Sequence, residues 1–517
     1  MKLFKDFIVK NKLFIAVFIA ILVSGSFLRL YKLADAPAGY FFDEIVAGVN
    51  AYSLSSTLND EFGNRLPDFI KIADDWRHAG IFYATAPFIK FFGFNIFAVR
   101  LATVVFGIFT IAAVYFLVNL MFKNKHIALI AMAQTAISPW LINISRSSNE
   151  IVLALFFLIT ANIFFYLSQK GQKIYFILLY ISLLAAWFSY SAAILLTFAF
   201  ALFFLLFSFF SKNELKTKKL TLLVFVLFCL FPNLFYIFAK PEKLTGRFST
   251  LSIFATKNPQ LVMNEQHSDD GTQNVPVLVS RLFHNKPINY FAEIAQNYSL
   301  YFSGPFILGA EGGPMRYRIP NFGLFYYMDI PFILIGAYFL FKKLNMSKGH
   351  LIFWLLVGAV PAALTVEDVP NIQRSIFMSP SWQIIIAFGA YNFFALGLKS
   401  NVLTKIQKLL IPLVIVGYLY FISLFMHQLI YHQPKHQNWY RDSEWQNTSK
   451  IVEKNIVNYK QVNMYGTIAH YYLFFYEQSY RDNYLNNNQL QSEYLINRDL
   501  WSDWTLGKYY FRHQSKT

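Results

Sequence analysis

Long apolar runs recur along most of the chain, and short polar segments separate them. The runs lie near residues 13–31, 96–122, 127–143, 151–168, 174–190, 192–211, 220–239, 323–341, 350–365, 380–398 and 409–428. Most are close to the roughly 20 residues that a helix needs to cross the hydrocarbon core of a bilayer. The pattern therefore predicts an all-α polytopic membrane protein with about eleven transmembrane helices.

Charge divides the connecting segments into two sets. One set holds the N-terminus and residues 123–125, 170–173, 212–219, 342–348 and 399–408, which are rich in lysine and contain only Asp6 and Glu214 as acids. Positive charge marks the cytoplasmic side. We therefore expect a multi-pass protein of the plasma (cytoplasmic) membrane whose N-terminus is cytoplasmic and whose first apolar run is a signal anchor. The other set, including loops 32–95 and 240–322 and the C-terminal tail, is then exoplasmic.

These assignments divide the chain into two predicted domains. Residues 1–428 form a transmembrane domain that carries the exoplasmic loops 32–95 and 240–322. Residues 429–517 form a small exoplasmic α/β domain, because the tail contains a helix-like stretch, Ser449–Tyr459, and a strand-like stretch, Gln461–Ile468. Four tryptophans also lie in this tail: Trp439, Trp445, Trp501 and Trp504.

Composition excludes several other classes of protein. Hydrophobic residues make up 56% of the chain and charged residues only 14%, against about 25% charged in soluble proteins. The net charge is +17, but the lysines cluster in short loops, where topology and anionic lipid headgroups account for them. We therefore expect membrane lipids, and no nucleic acid, as partners. The single cysteine, Cys229, rules out a disulfide within one chain and a zinc-thiolate cluster.

The adjacent acids Asp43 and Glu44, just after the first apolar run, are the strongest chemical signal. Charge near lipid is costly unless it faces water, an ion or a reacting group. A carboxylate can take a proton from an attacking hydroxyl group, and two adjacent acids can divide base and orienting roles or share a divalent metal ion. The alternative is that Glu44 only opens a helix, where an acid suits the N-terminal dipole. We favour a catalytic role for both.

Further polar groups lie on the predicted exoplasmic side. Arg77 and His78 are candidates to bind a phosphate or sugar, although their segment could also be an interfacial anchor. Arg146 is a candidate phosphate ligand and Glu150 a second acid, although their four-residue spacing would let them pair on a helix. Arg374 could hold the far side of a phosphate or reach lipid headgroups. Loop 240–322 adds four arginines and is long enough to cover such a site: Arg247, Arg281, Arg316 and Arg318.

Cations near carboxylates at the edge of a membrane suit one kind of substrate, a sugar linked to a lipid phosphate. Its tail would stay in the membrane, its phosphate would meet arginine, and its anomeric carbon would lie near a base. The apolar runs contain almost no ionisable residues at mid-depth, where transporters usually keep theirs. We therefore predict chemistry on a lipid-phosphate sugar at the exoplasmic face of the membrane.

Several motifs resemble the dolichyl-phosphate-mannose protein mannosyltransferase superfamily, whose bacterial branches include the lipid A aminoarabinose transferases. The resemblance spans roughly residues 25–400 and rests on Arg29, Asp43 and Glu44, the stretch Phe92–Leu101, the group Ser138, Pro139, Arg146 and Glu150, and the group Pro361, Thr365 and Arg374. It implies a GT-C fold of the glycosyltransferase family 39 type, with residues 1–428 as the catalytic domain.

The same resemblance implies a mechanism. The chain would be an integral membrane glycosyltransferase that transfers a hexosyl or pentosyl group from a polyprenyl-phosphate donor to a protein, lipid or glycan acceptor on the exoplasmic face. Asp43 would be the catalytic base with Glu44 supporting it, and transfer would invert the anomeric carbon. Family members often carry Lys-Pro-Pro where this chain has Arg77, His78 and Ala79, so Arg77 would take the phosphate role there. No cofactor is firmly implied, and a divalent metal ion is an open option without assigned ligands.

Three alternative functions stay open at this stage. A flippase or transporter for lipid-linked sugars would need essential groups near the bilayer midplane. A catalytically silent scaffold would bind lipid-linked glycans through the tail. A glycan ligase or polymerase would use the same face with a pyrophosphate-linked donor.

Overall fold

The computed structural model of the chain describes residues 12–72, 75–211, 214–309, 311–342, 344–397, 401–436, 439–442, 444–465, 468–486 and 504–512. Trp501 lies outside these ranges. Within them the chain is mainly helical and contains two small sheets.

The elements of the first part of the chain are α1 (Lys12–Leu30), α2 (Phe42–Thr57), β1 (Phe69–Ile72), β2 (Asp75–His78), α3 (Gly80–Phe92), α4 (Ile96–Phe122), α5 (Lys125–Ile137), α6 (Pro139–Ser145), α7 (Glu150–Ser168), α8 (Lys173–Trp187), α9 (Ser191–Phe210), α10 (Leu215–Phe228) and α11 (Phe235–Ala239). Then come α12 (Pro241–Leu251), α13 (Ile253–Thr256), α14 (Gln260–Thr272), α15 (Val277–Phe283), α16 (Lys286–Leu300), α17 (Gly304–Ile307), α18 (Asp329–Lys342), α19 (Met346–Ala363), α20 (Ser379–Gly397), α21 (Asn401–His427), α22 (Gln433–His436), α23 (Glu444–Asn455), β3 (Val462–Tyr465), α24 (Ile468–Tyr476), α25 (Gln478–Asn486), β4 (Trp504–Leu506) and β5 (Tyr509–Arg512).

A helix lies at each of the predicted apolar runs. Among the described residues, seven helices are long and apolar enough to cross a membrane: α1, α4, α7, α9, the segment Leu215–Ala239, α19 and the segment Gln407–His436. The bent pair α5–α6 would be an eighth. The shorter apolar helix α8 and the helices α18 and α20 occupy the remaining predicted positions. An all-α multi-pass membrane protein is thus confirmed, while the count of eleven spans stays a prediction.

Helix α4 forms the centre of the bundle, and α21 lies at its edge. In their most apolar windows, 67% of the residues of α4 are buried inside the protein but only 6% of those around α21. A helix that is apolar all round can be buried against protein or face lipid, and burial separates the two cases. Helix α4 begins after Asn95, whose side chain accepts the N–H of Ala98, as N-cap asparagines do.

The break between α5 and α6 places a polar turn at one end of the bundle. The two helices meet at 53°, where Ser138 precedes Pro139 and a proline ring cannot continue the preceding helix. The side chain of Ser138 then accepts the N–H of Leu141 and caps α6. The turn that follows α6 leads directly into α7 and carries residues 146–149.

The first loop and the tail share one hydrophobic core. Strands β1 and β2 pair antiparallel, α2 packs against α3, and apolar residues of α2 such as Val49 join Tyr472 and Phe474 of α24 in one buried cluster. In the tail, β3 and β5 are parallel and β4 and β5 antiparallel. The predicted tail elements shift slightly: the helix is α23, and the strand is shorter because Ile468 already begins α24. The boundaries of the two domains stay a prediction.

Close helix packing generates the first testable prediction. Helices α18 and α20 touch at Gly336 and Gly389, where an added Cβ would overlap the carbonyl oxygens of Ile385 and Phe332, respectively. Small residues allow such contact between membrane helices. We expect Gly336→Ala or Gly389→Ala to lower stability by about 1–3 kcal/mol, because overpacking forces the backbones apart.

The measurement is the thermal unfolding of the purified protein in detergent. Gly349→Ala in α19 is the matched control, because a Cβ there meets no atom within 4 Å, and alanine favours helix by about 0.5–1 kcal/mol over glycine. Equal melting temperatures for the Gly336 and Gly349 variants would contradict the tight packing of α18 on α20.

Candidate active site

The two neighbouring acids occupy the first turn of α2 and face different surroundings. Successive residues of an α-helix point about 100° apart, so Asp43 and Glu44 cannot share one environment. The side chain of Asp43 is 27% exposed and that of Glu44 only 3%. This difference separates a reachable carboxylate from a buried one.

Glu44 is the centre of a buried ion cluster. Its carboxylate accepts from Arg100, with 2.9 Å to Nε, and from Arg441 of the tail, with 2.7 Å to a terminal nitrogen. It also accepts the backbone N–H of Ser148 at 3.0 Å. Burial alone would raise the pKa of Glu44, but the charges of Arg100 and Arg441 outweigh it and lower the pKa. Glu44 is therefore ionised and enclosed, which suits a positioning role beside Asp43.

Asp43 faces a narrow cavity and has cationic neighbours. Its carboxylate lies 3.1 Å from a terminal nitrogen of Arg77 and 3.9 Å from one of Arg316. Burial would raise the pKa of Asp43, but the guanidinium groups of Arg77, Arg316 and Arg247 outweigh it and lower the pKa. Asp43 is thus ionised at neutral pH and, unlike Glu44, open to a substrate.

The β1–β2 hairpin delivers both residues of the Arg77-His78 pair to this cavity. Neighbouring residues of a strand point to opposite faces, so Arg77 reaches Asp43 while His78 packs against Phe69 in a tilted contact and against Trp187 edge-on, with ring centroids 4.4 and 5.5 Å apart. Burial lowers the pKa of His78 to about 3. The imidazole is therefore neutral, and its buried Nδ1 has no hydrogen-bond partner among the described residues.

Arg146 and Glu150 are separated rather than paired. Arg146 ends α6 and Glu150 opens α7 after the capping residue Asn149, so the two do not share one helix face. Glu150 lines the same cavity as Asp43 and His78. This placement brings the predicted second acid beside the candidate base.

The placement of Arg146 differs from its predicted role as a phosphate ligand. Its terminal nitrogens donate to the carbonyls at and beyond the end of α1, namely those of Leu28, Arg29, Tyr31, Lys32 and Ala36. A helix C-terminus leaves such carbonyls without partners inside the helix, and a cation suits its dipole. Arg146 therefore holds the first loop against the bundle and has no terminal donor left for a phosphate.

Arg374 lines a second, larger cavity. This donor groove, as we name it, has a volume of about 530 Å³ and is lined mainly by apolar residues of α9, α12 and α19. Tyr190, Arg247 and Arg374 supply its principal polar side chains. Arg374 is held in place by Thr365 and Glu367, at 3.0 and 2.9 Å.

A chain of alternating charges connects the donor groove with Asp43. Nε of Arg247 lies 2.7 Å from the carboxylate of Asp75, and Asp75 lies 3.6 Å from Arg77, which contacts Asp43. Burial opposes the charge of Arg247, but Asp75 and Glu150 outweigh it and raise its pKa. The groove and the acid therefore belong to one site.

The sequence pattern predicts several residues of this candidate site but not all of them. Arg247 and Arg316 were expected only as cations of a covering loop, and Arg281 of that loop lies elsewhere, on α15. Arg441 was not predicted, because a single arginine in a polar tail gives no signal in spacing or periodicity. Its buried position follows only from the docking of the tail on α2.

The described residues do not form an evident metal centre. None of the described His, Cys, Asp and Glu side chains come together in a group of three that could hold a metal ion. Asp43 and Glu150 share a cavity, but Asp43 is already paired with Arg77. The described residues therefore give a metal ion no assigned ligands.

Comparisons with known proteins agree with this architecture. The sequence model of the family described as dolichyl-phosphate-mannose-protein mannosyltransferase matches residues 79–236. No sequence among the curated proteins matches the chain.

Solved structures resemble the chain over most of its length. The oligosaccharyltransferase of Archaeoglobus fulgidus, tethered to an acceptor peptide, aligns with a TM-score of 0.56 and 14% identity over 91% of this chain and 63% of the archaeal chain. The archaeal oligosaccharyltransferase AglB from the same organism, with an inhibitory peptide and a dolichol-phosphate, aligns at 0.52 and 13% over 90% and 64%. ArnT from Cupriavidus metallidurans bound to undecaprenyl phosphate aligns at 0.49 and 10% over 92% and 88%.

These similarities define a class. The chain has the GT-C fold and spans less than two thirds of the length of the archaeal chains. The mannosyltransferase family model matches less than half of the chain, and the likeness to the solved structures is one of fold.

The buried ion cluster generates a prediction about stability. Arg441→Gln should lower the free energy of unfolding by about 3 kcal/mol, because removal of one partner leaves a buried charge less compensated. The measurement is the melting temperature in detergent together with the protease sensitivity of the tail. Lys450→Gln, an exposed position on α23, is the control and should change neither. An Arg441 variant that melts like wild type would contradict the role of this cluster in docking the tail.

Proposed function

We propose that the chain is an integral membrane glycosyltransferase that moves a sugar from a polyprenyl-phosphate donor to an acceptor on the exoplasmic face, with inversion. One observation carries the proposal. Arg247 and Arg374 line an apolar groove of about 530 Å³, and ion pairs lead from Arg247 to Asp43. The groove suits a polyprenyl tail, its arginines suit a phosphate, and Asp43 suits a base near the anomeric carbon.

The reaction follows from these positions. Asp43 takes the proton of the acceptor hydroxyl or amine while the acceptor atom forms its bond to the anomeric carbon. The bond between that carbon and the phosphate oxygen breaks, and polyprenyl phosphate departs with the electron pair. Arg247, Arg374 and Arg77 stabilise the negative charge that develops on the phosphate. Glu44 contributes by fixing the start of α2.

The neutral imidazole of His78 has a place in this scheme. It lines the cavity that contains Asp43 and Glu150. A buried polar atom without a partner favours a ligand that supplies one. The cavity has a volume of only about 10 Å³, room for about one water molecule, so we assign it to a single hydroxyl group of the donor sugar, with His78 and Glu150 as hydrogen-bonding partners.

The exoplasmic placement rests on charge. Asp43, Arg77, Arg247 and Arg374 all lie on segments of the lysine-poor set, opposite the lysine-rich loops that mark the cytoplasmic side. The site therefore faces the exterior of the plasma membrane, as does the tail that contributes Arg441.

The test measures release of free polyprenyl phosphate by the purified protein in detergent. A panel of short-chain polyprenyl-phosphate sugars serves as donors, crude cell envelope serves as acceptor, and each reaction runs with and without a chelator. We expect release from one donor and a loss of about 100-fold or more in Asp43→Asn, the scale of general base catalysis. Asp35→Asn, an exposed acid of the same loop, is the matched control.

Other outcomes separate the alternative functions. Full turnover by Asp43→Asn would contradict the mechanism. Absence of release, together with movement of the donor across liposomes, would establish a flippase. Release of polyprenyl pyrophosphate from a pyrophosphate-linked donor would indicate a ligase. Loss of activity with the chelator would show that the reaction needs a metal ion.

The pairing of Asp43 with Arg77 predicts a change in pH dependence. In the wild type the lowered pKa keeps Asp43 ionised, so transfer should fall only below the ordinary aspartate pKa of about 3.9. Arg77→Gln removes the principal cation that opposes burial, so the pKa of Asp43 should rise and the acidic limb of the kcat/KM profile should move to higher pH. Lys71→Gln on the same hairpin, an exposed position, should leave the limb unchanged. An unmoved limb in Arg77→Gln would show that Asp43 is not the titrating base.

A further inference from the structure

The segment between α11 and α18 exposes an apolar surface. Six large apolar side chains of α15 and the first half of α16 are between 40% and 79% exposed: Val277, Leu278, Leu282, Phe283, Ile288 and Phe291. We call residues 277–291 the interfacial arm. Contiguous exposure of this kind marks a surface that binds a partner or a membrane.

The arm continues onto the lipid-facing surface of a transmembrane helix. The hydroxyl of Tyr298, near the end of α16, donates to the carbonyl of Leu356 at 2.9 Å. Leu356 lies seven residues before the end of α19 at Ala363, which is about 10 Å of helix. Its side chain is 46% exposed, on the outside of the bundle. Helix α16 therefore rests on the exposed surface of α19, an apolar helix that is long enough to cross a membrane.

Charge on and beside the arm fits a lipid headgroup region. The arm contains Arg281 and Lys286 and no acid, whereas the preceding helix α14 carries Glu265, Asp269 and Asp270. Long basic side chains can reach headgroup phosphates while their stems and apolar neighbours enter the acyl chains. His284 of the arm pairs with Asp270 at 3.2 Å, so α14 is held on one side of the arm and leaves the apolar side uncovered.

We propose that the interfacial arm is inserted into the membrane leaflet beside α19, with α14 facing water. The occupant of the apolar surface is thus bilayer lipid rather than a second copy or an acceptor polypeptide. The arm lies in the same segment between α11 and α18 as α12, which forms one wall of the donor groove. Lipid contact through the arm therefore anchors that wall to the leaflet, whatever reaction the site performs.

The experiment uses the full-length protein in lipid nanodiscs, with a fluorescent label whose emission reports polarity. Cys229→Ala removes the single native cysteine, and Leu278→Cys or Phe291→Cys then places the label on the arm. Asp269→Cys on α14 is the matched control, because it is exposed on the helix that we place in water. Each sample is quenched with iodide from the aqueous phase and, separately, with lipids that carry a nitroxide on the acyl chain.

We expect labels at positions 278 and 291 to be quenched by nitroxide lipid and protected from iodide, and the label at 269 to behave in the opposite way. Iodide quenching at 278 equal to that at 269 would overturn the proposal. Protection from both quenchers would also overturn it, because a protein surface would then cover the arm. Leu282→Cys provides a second position if a labelled variant fails to fold, as judged by size-exclusion chromatography.

Discussion

The buried carboxylate of Glu44 is the contact on which the geometry of the site depends. An ion removed from water is tolerated only where cations and N–H groups replace the water, and Glu44 receives both, from Arg100, Arg441 and the backbone of Ser148. These partners belong to α4, to the tail and to the turn before α7. One side chain thus joins three parts of the chain that are far apart in sequence, and the position of Asp43, its neighbour in α2, follows from that junction.

The neighbouring acids divide two tasks because one turn of helix gives them two environments. Glu44 points into the protein and fixes the helix, whereas Asp43 points into a cavity and stays reachable. From Asp43 the ion pairs alternate in sign through Arg77 and Asp75 to Arg247 at the donor groove. A phosphate arriving at the groove adds negative charge at one end of this series. It would compete with Asp75 for Arg247, so binding at the groove and the charge around Asp43 are physically coupled.

Hydrophobic patterning was sufficient to predict the architecture, because the length of an apolar run is a direct consequence of bilayer thickness. It also singled out Asp43, Glu44 and Arg77, because charged residues close to a membrane are costly, and the structure pairs Asp43 with Arg77 beside the buried Glu44 while their catalytic roles stay a prediction. Patterning could not distinguish Arg146, which satisfies the end of α1, from an arginine that is free to bind substrate. Both are cations next to an apolar run, and only tertiary contacts decide which carbonyls they reach. Arg441 was not predicted for the same reason, because its partner Glu44 is far away in sequence.

The membrane imposes one more constraint, on depth. The lipid-linked donor that we propose would move within a leaflet, so its phosphate would stay near the headgroup level and the groove would have to open at that level. Two walls of the groove are formed by α9 and by the end of α19, which belong to the bundle. The third wall is α12, which belongs to the segment between α11 and α18. This wall is tied to the bundle by the ion pair of Arg247 with Asp75 and by backbone hydrogen bonds that join Leu251 to Val366 and Ile253 to Leu364. A shift of the wall along the membrane normal would move Arg247 with it. Apolar side chains farther along the same segment, embedded beside α19, would restrain that shift and keep the arginines at the depth of the phosphate.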